Sequence, residues 1–261
     1  MATRLPDPRS LIGRRILICR PEPEASRLAH CFREAGADVR VLPLIGREPL
    51  PETPETRTLI QNLDHYSHVI AVSPYAASLF MALADNWWPQ FPTGIRWYGV
   101  GRGTAAVLAR HGLTPRMPTN GWTSEALLAL PSLQRITGEK VLLVRGEEGR
   151  ELIHQTLSDR GARVNVLPLY RRYQPHHDAT TLDKALLCFL PEAVITLSGE
   201  TLNNLIALSE NTGHNLDKTL LVVPASRVAE QARRAGLNRI CIPESLADND
   251  IVATVAEELD G

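Results

Sequence analysis

The chain has 261 residues, of which 44% are hydrophobic and 22% charged, and its 28 basic side chains nearly balance 29 acidic ones. That length suffices for two domains with cores of their own, and a net charge of −1 excludes the overall basic field of a nucleic-acid-binding chain. No apolar run approaches the roughly 20 residues that span a bilayer, and the N-terminal "MATRLPDPRSLIGRR" lacks the apolar core of a secretory signal, so a cytoplasmic protein with no membrane partner is expected.

In chain order, the first short apolar run is "RILIC" (15–19). The polar turn "RPEPEA" follows it, then a helical pattern that closes in "FREAGADV" and leads to "VLPL" (41–44). The next runs are "HVIAV" (68–72) before "SPYAAS", "IRWYGV" (95–100) before "GRGTAA", and "KVLLV" (140–144) before "RGEEGRE". The last two are "AVITL" (193–197) before "SGETLN" and "TLLVV" (219–223) before "PASRVA". Short, uninterrupted, β-branched runs are the pattern of strands covered on both faces. Helices closing in "FREAGADV", "LARHGLTP", "LSDRGARV" and "ARRAGLNR" place a Gly where the backbone turns left-handed, with basic residues in or near the last turn. Strand alternating with helix predicts parallel α/β sheets. Cys19 and Cys241 fall within strand runs and are expected to be buried thiols. Neither they nor Cys31 and Cys188 form a C-x-x-C pair.

The passage "REAGADVRVLPL" (33–44) returns as "SDRGARVNVLPL" (158–169). Such a repeat fits two similar parallel-sheet α/β domains joined by a two-stranded hinge linker. Residues 1–45 and 172–261 would form a discontinuous first domain, and 46–171 an inserted second one. The connectors would lie at about 43–50 and 168–175. Pro49, Pro51, Pro54 and Pro175 suit edge or linker positions there.

Ligands of open α/β sheets bind beyond the carboxyl ends of the strands, where helix N-termini offer free N–H groups. Those ends carry Arg20, Ser73, Gly101, Thr104, Arg145, Gly146, Arg150, Ser198, Gly199, Ser226 and Arg227. The hydroxyls there have an alternative use as helix caps. Arginines following strands in several units, in a chain of near-zero net charge, suit a ligand rich in carboxylates or phosphates. "GVGRGTAA" replaces the third Gly of the dinucleotide fingerprint with Thr104 and is a weak nucleotide signal. His176-His177 has no partners at ligand spacing, so no metal is expected. Tyr170, directly after the second "VLPL", can donate a proton to a leaving oxygen, or can simply pack in a β-ladder. On the residues alone, a two-lobed binding or sensor protein for a small polyanionic ligand remains the alternative to an enzyme.

Taken together, "ICRPEPEA", "VSPYAA", Gly101 to Ala105, "RGEEGRELI", "LPLYRRY", "TLSGETLNNL" and "VVPASRVAEQARRAGL" stand in an order and spacing that resembles the uroporphyrinogen-III synthase family. The resemblance runs over nearly the whole chain, with Cys19 where Thr is common. It implies two α/β domains with the substrate between them, and a lyase that needs no metal or cofactor. The implied substrate is hydroxymethylbilane, a linear tetrapyrrole with eight carboxylates, closed to uroporphyrinogen III with loss of water and inversion of the last ring. Tyr170 is the implied catalytic residue, and the strand-end residues named above are the implied substrate contacts. A monomer is expected, with room for transient contact with the enzyme that supplies hydroxymethylbilane.

Overall fold

The computed structural model describes residues 10–119, 121–213 and 215–260, without the side chains of 211 and 212. Most of the N-terminal stretch read above for a signal core lies outside them. The elements run β1 (Arg15–Ile18), α1 (Glu24–Glu34), β2 (Asp38–Val41), β3 (Gly46–Pro49), α2 (Pro54–Gln61), β4 (His68–Ala71), α3 (Pro74–Ala84), β5 (Arg96–Gly99), α4 (Arg102–Arg110) and α5 (Ser124–Leu128). They continue with β6 (Lys140–Gly146), α6 (Leu152–Asp159), β7 (Arg163–Tyr173), α7 (Ala179–Leu182), β8 (Ala193–Ile195), α8 (Gly199–Thr212), β9 (Leu220–Val222), α9 (Ser226–Arg234), β10 (Ile240–Cys241) and α10 (Asp248–Asp260). The chain divides into two compact units, one formed by 1–47 with 173–261 and the other by 48–172.

The first unit holds a sheet in the order β10-β9-β8-β1-β2, parallel throughout. The inner strands are apolar over 16–18, Ala193–Ile195 and Leu220–Val222 because both faces are covered there, whereas the edge strand β2 carries Asp38 and Arg40. Ile16 and Ile18 face Leu28, Phe32 and Val255, while Leu17 and Cys19 face Leu202, Leu205 and Val228. Helix α1 supplies its share through Ala25, Leu28, Ala29 and Phe32, one stripe at helical spacing. Removing such a side chain, as in Leu17→Ala, costs roughly 2–5 kcal/mol.

The second unit holds the order β3-β7-β6-β4-β5, with parallel pairing among β7, β6, β4 and β5. Again the faces alternate. Val69, Ala71, Leu142 and Val144 pack on Phe80, Met81 and Leu108, whereas Ile70, Val141 and Leu143 pack on Leu127, Leu133 and Leu157. Strand β3 is the edge, which accommodates Pro49. It runs antiparallel to β7. Gly46 lies against the Tyr173 ring, Glu48 pairs with Arg171, and the Leu50 N–H donates to the Leu169 carbonyl at 2.9 Å.

Gly36 and Gly161 adopt φ of +92° and +81° after α1 and α6, the left-handed turn expected from the sequence. The two copies of "VLPL", however, take different backbone paths. After the first, the chain leaves the strand at Val41, and Leu42, Leu44 and Ile45 are buried. The His177 ring donates to the Pro43 carbonyl at 2.7 Å and the Asn204 amide to the Leu44 carbonyl at 2.8 Å, so side chains take the groups a strand neighbour would have used. The second copy stays within β7, which runs unbroken to Tyr173.

His68 opens β4 and is fully buried. One ring nitrogen meets the Tyr98 hydroxyl at 3.1 Å and the other the Glu139 carboxylate, which also binds Arg96 at 2.5 Å. Burial lowers its pKa below the ordinary 6.5, reinforced by Arg96 and Arg116 and opposed by Glu139. The unfolded chain therefore binds this proton more tightly than the folded one. The stability gained by keeping His68 neutral is complete above pH 6.5 and is lost as pH falls from there toward the lower native value. Urea midpoints measured from pH 8 to pH 5 are expected to fall less steeply for His68→Gln than for the wild type. Parallel curves would assign the acid sensitivity to other groups.

Candidate functional site

In the second unit the carboxyl ends of β4, β5 and β6 deliver the chain to the starts of α3, α4 and α6. Ser73 is the N-cap of α3. Its backbone is extended (φ −151°, ψ 159°), and its Oγ accepts the Ala76 N–H at 3.1 Å, so the capping use is realised. The same Oγ lies 3.4 Å from the Tyr170 hydroxyl. The Tyr170 ring is only 3% exposed and meets the Tyr75 ring edge-on, with centroids 5.0 Å apart.

Gly101 caps α4 without a side chain, leaving the first N–H groups of that helix without a side-chain acceptor. Two close approaches shape this turn. A Cβ on Gly99 would meet the Ala105 nitrogen at 2.8 Å, and one on Gly103 would meet the Pro74 ring at 3.1 Å, which places the starts of α3 and α4 side by side. Thr104 is buried at 3% exposure, so its hydroxyl is not displayed to solvent. Arg102 stacks over the half-exposed Trp122 ring at 4.9 Å.

Near the carboxyl end of β6, Arg145 is mostly covered. It binds Glu151 at 2.6 Å and the Arg150 carbonyl at 3.4 Å, while its buried Nε has no hydrogen-bond partner among the described residues. Arg150 is exposed and pairs with Glu125 at 3.1 Å. Gly146 stands opposite Tyr170 across the β6–β7 ladder. Ser73, Gly146 and Tyr170 are thus brought together, and Arg145 is linked to Arg150, whereas Thr104 is buried.

In the first unit Arg20 follows β1. Its guanidinium lies 3.5 Å from the Asp248 carboxylate, which also binds Arg27. Burial pulls the Arg20 pKa below its usual value, and Asp248 and Glu24 oppose that shift; a guanidinium stays charged at neutral pH. Arg47 is paired with Glu24. Ser198 caps α8 by accepting the Thr201 N–H at 3.0 Å. Gln231 donates to the Gly199 carbonyl at 3.1 Å and to Asn203 at 2.5 Å, tying the first turn of α8 to α9. Helix α9 starts after Ala225 with no side-chain cap, and Ser226 and Arg227 are exposed on its first turn. No ion pair engages Arg227 among the described residues.

A pocket of about 290 Å³ in this unit is lined by residues including Leu44, His176, His177 and Asn204. Among the described residues no three His, Cys, Asp or Glu side chains converge as a metal would require. Burial drives the Cys19 thiol pKa far up and pushes that of Cys241 to about 12, so neither offers a thiolate at neutral pH. Also among the described residues, no helix is long and apolar enough to cross a membrane.

Sequence reading missed Tyr75, Asp248, Trp122 and Gln231, each of which touches a residue it had singled out. Tyr75 stands inside the quoted "SPYAAS". Its meaning depends on side-chain direction, which the letters do not carry.

The profile of the family described as "Uroporphyrinogen-III synthase HemD" matches residues 26–253. The chain is 34% identical over 241 residues to the uroporphyrinogen-III synthase of Salmonella typhimurium, covering 90% of this chain and 96% of that one. It is 33% identical over 245 residues to that of Escherichia coli, with the same coverage. A mutant uroporphyrinogen III synthase from Thermus thermophilus shares the fold at a TM-score of 0.64 and 18% identity, over 95% of this chain and 99% of that one. The Helicobacter pylori uroporphyrinogen-III synthetase shares it at 0.58 and 12%, over 94% and 99%. A match over the greater part of the chain, with relatives above 30% identity along nearly their full lengths, means that this chain belongs to the uroporphyrinogen-III synthase family.

Proposed function

We propose that the protein converts hydroxymethylbilane to uroporphyrinogen III in porphyrin biosynthesis, acting as a cytoplasmic, monomeric hydro-lyase that also closes a ring. The observation carrying this reading is the family match over residues 26–253. The protein's residues supply positioning and acid assistance. Tyr170 donates its phenolic proton to the terminal hydroxyl as the C–O bond breaks, and water leaves. The resulting azafulvene-type cation is attacked by the substituted carbon of the terminal pyrrole, giving a spiro intermediate that fragments and recloses inverted. Ring closure releases one proton from carbon as the pyrrole regains aromaticity, and that proton restores Tyr170. The balance is one C–O and one C–H bond lost, one C–C bond gained and one water formed.

Because the free bilane closes without inversion, rate and regiochemistry depend on how the substrate is held. Carboxylates would be anchored in the second unit by the open N–H groups of α4 at Gly101 to Thr104, by Ser73, and by Arg145, Gly146 and Arg150. In the first unit the anchors would be Ser198, Gly199, Ser226 and Arg227, with Arg20 adding fixed positive charge. Each open helix start contributes only about 0.3–1 kcal/mol toward a carboxylate at an exposed site, so no single anchor dominates. The enzyme supplying hydroxymethylbilane is the expected transient partner.

The primary test generates hydroxymethylbilane in situ, oxidises the products and separates type I from type III porphyrin. Type III scaling with protein is expected, and type I alone at the uncatalysed rate would point to a two-lobed binding protein instead. Tyr170→Phe is expected to lower kcat by more than about tenfold. Ser73→Ala and Ser226→Ala should each cost less than about tenfold, with Ser73→Ala also losing about 1 kcal/mol of stability through its cap. A Tyr170→Phe enzyme of wild-type activity would remove the acid role.

The arginines separate by pairing. Arg227→Gln is expected to raise KM by about threefold at low salt, with the difference closing as ionic strength rises. Arg20→Gln should instead lower the thermal midpoint, because it leaves the largely covered Asp248 with Arg27 alone. Salt-independent KM for both the wild type and Arg227→Gln would exclude steering.

A further inference from the structure

Strict alternation along β7 would turn Tyr170 away from Ser73. Leu167 and Leu169 face the core that contains Phe80 and Met81, whereas Val164 and Val166 lie against the opposite core, the one containing Leu127 and Leu157. Residue 170 differs in parity from Leu167 and Leu169, yet its ring packs with theirs. The ladder shows how. Arg145 stands opposite Pro168, but Gly146 stands opposite Tyr170, so Leu169 has no partner on β6. This extra residue is a β-bulge, and it keeps Leu169 and Tyr170 on one face. Pro168 has no N–H to lose from the ladder at that point. The Tyr170 carbonyl then accepts the Glu147 N–H at 2.7 Å, which fixes the backbone beyond the bulge.

The ring redirected in this way lies directly over Gly146. A Cβ there would come within 2.9 Å of both Cε2 and Cζ of Tyr170, and within 3.3 Å of its carbonyl oxygen. Gly146 has no left-handed φ that would require glycine, so what the position demands is space. On another side the Tyr75 ring meets Tyr170 at an interplanar angle of 79°. The phenol is therefore held by a bare backbone, by an aromatic edge and by the Ser73 hydroxyl.

We propose that Gly146 and Tyr75 are positioning residues for Tyr170: Gly146 by carrying no side chain under its ring, and Tyr75 by its edge contact, so that the phenol is presented at the Ser73 end of β4. The proposal rests on Tyr170 being the proton donor, and its effect on rate is the effect of misplacing that donor. Displacement by about 1 Å is enough for roughly a hundredfold loss. Gly146→Ala is thus expected to lower kcat by about tenfold to a hundredfold, with KM within about twofold of the wild type. Tyr75→Phe keeps the ring and should keep kcat, while Tyr75→Leu should lower it.

The test measures kcat, KM and the type III to type I ratio for these variants and for Gly146→Ala in a Tyr170→Phe background. It also records the ¹⁹F resonance of 3-fluorotyrosine at position 170 in folded protein with and without Gly146→Ala. If Gly146 acts through the phenol, its substitution costs less than about twofold once the hydroxyl is gone, and the fluorine resonance shifts. An equal cost in both backgrounds would overturn the proposal and leave Gly146 with its carboxylate contact or a structural role alone. An unchanged resonance would overturn it independently of activity. If Tyr170→Phe alone retains wild-type kcat, the acid reading fails and the catalytic part of the proposal goes with it. The resonance then still decides whether Gly146 places the ring.

Discussion

Both sheets are parallel except at the β3 edge and must be covered on both faces, and the rest of the structure follows from that constraint. A parallel strand needs a crossover helix, and successive helices end up on the two faces. Ile16 and Leu17 are adjacent in sequence and sit in different cores, as do Val69 and Ile70. With the faces consumed by packing, polar chemistry is left to the strand ends. There the first N–H groups of each following helix lack backbone partners. Ser73 and Ser198 satisfy some of them from their own side chains. Gly101 and Ala225 do not, and neither turn has a side-chain cap.

Within that frame the second unit departs from regularity at one register step. The bulge after Pro168 breaks the alternation on which buried strands depend, at the residue whose hydroxyl reaches Ser73. A bulge re-aims a side chain without moving the scaffold, because the neighbouring pairs from Lys140 to Arg145 keep their register. Gly146 on the facing strand is the complement, leaving room for the ring that the bulge has turned.

The parts of this arrangement legible in the sequence were those set by local rules. Apolar runs marked the strands because two-sided burial writes them as unbroken Val, Ile and Leu. Gly36 and Gly161 marked helix ends because their backbones require positive φ. The hydroxyls at 73 and 198 were legible as caps because a hydroxyl just before a helix can accept one of its unpaired N–H groups. What was not legible depends on groups distant in sequence. The two "VLPL" copies are identical letters with different fates, since His177 and Asn204 take the carbonyls of the first copy and β6 pairs with the second. The bulge leaves no mark except a proline, which also suited a linker. Tyr75 passed as one more letter of the turn "SPYAAS", because its contact lies on β7, distant in sequence.

The arginines show the same limit in electrostatic terms. As letters, Arg20, Arg145, Arg150 and Arg227 are equivalent strand-end cations. In the structure, Arg20 and Arg145 are largely covered and held by Asp248 and Glu151, whereas Arg227 is exposed. A covered cation has already lost much of its hydration, and a carboxylate beside it offsets part of that loss. Such a charge is fixed in place, and an incoming carboxylate must compete with its resident partner. A solvated arginine imposes no such competition but must give up side-chain freedom to bind. Fixed charges therefore shape the local field, while mobile ones are suited to contact. Near-zero net charge is consistent with this division, because charges of a nearly neutral protein act locally and not through a field of the protein as a whole.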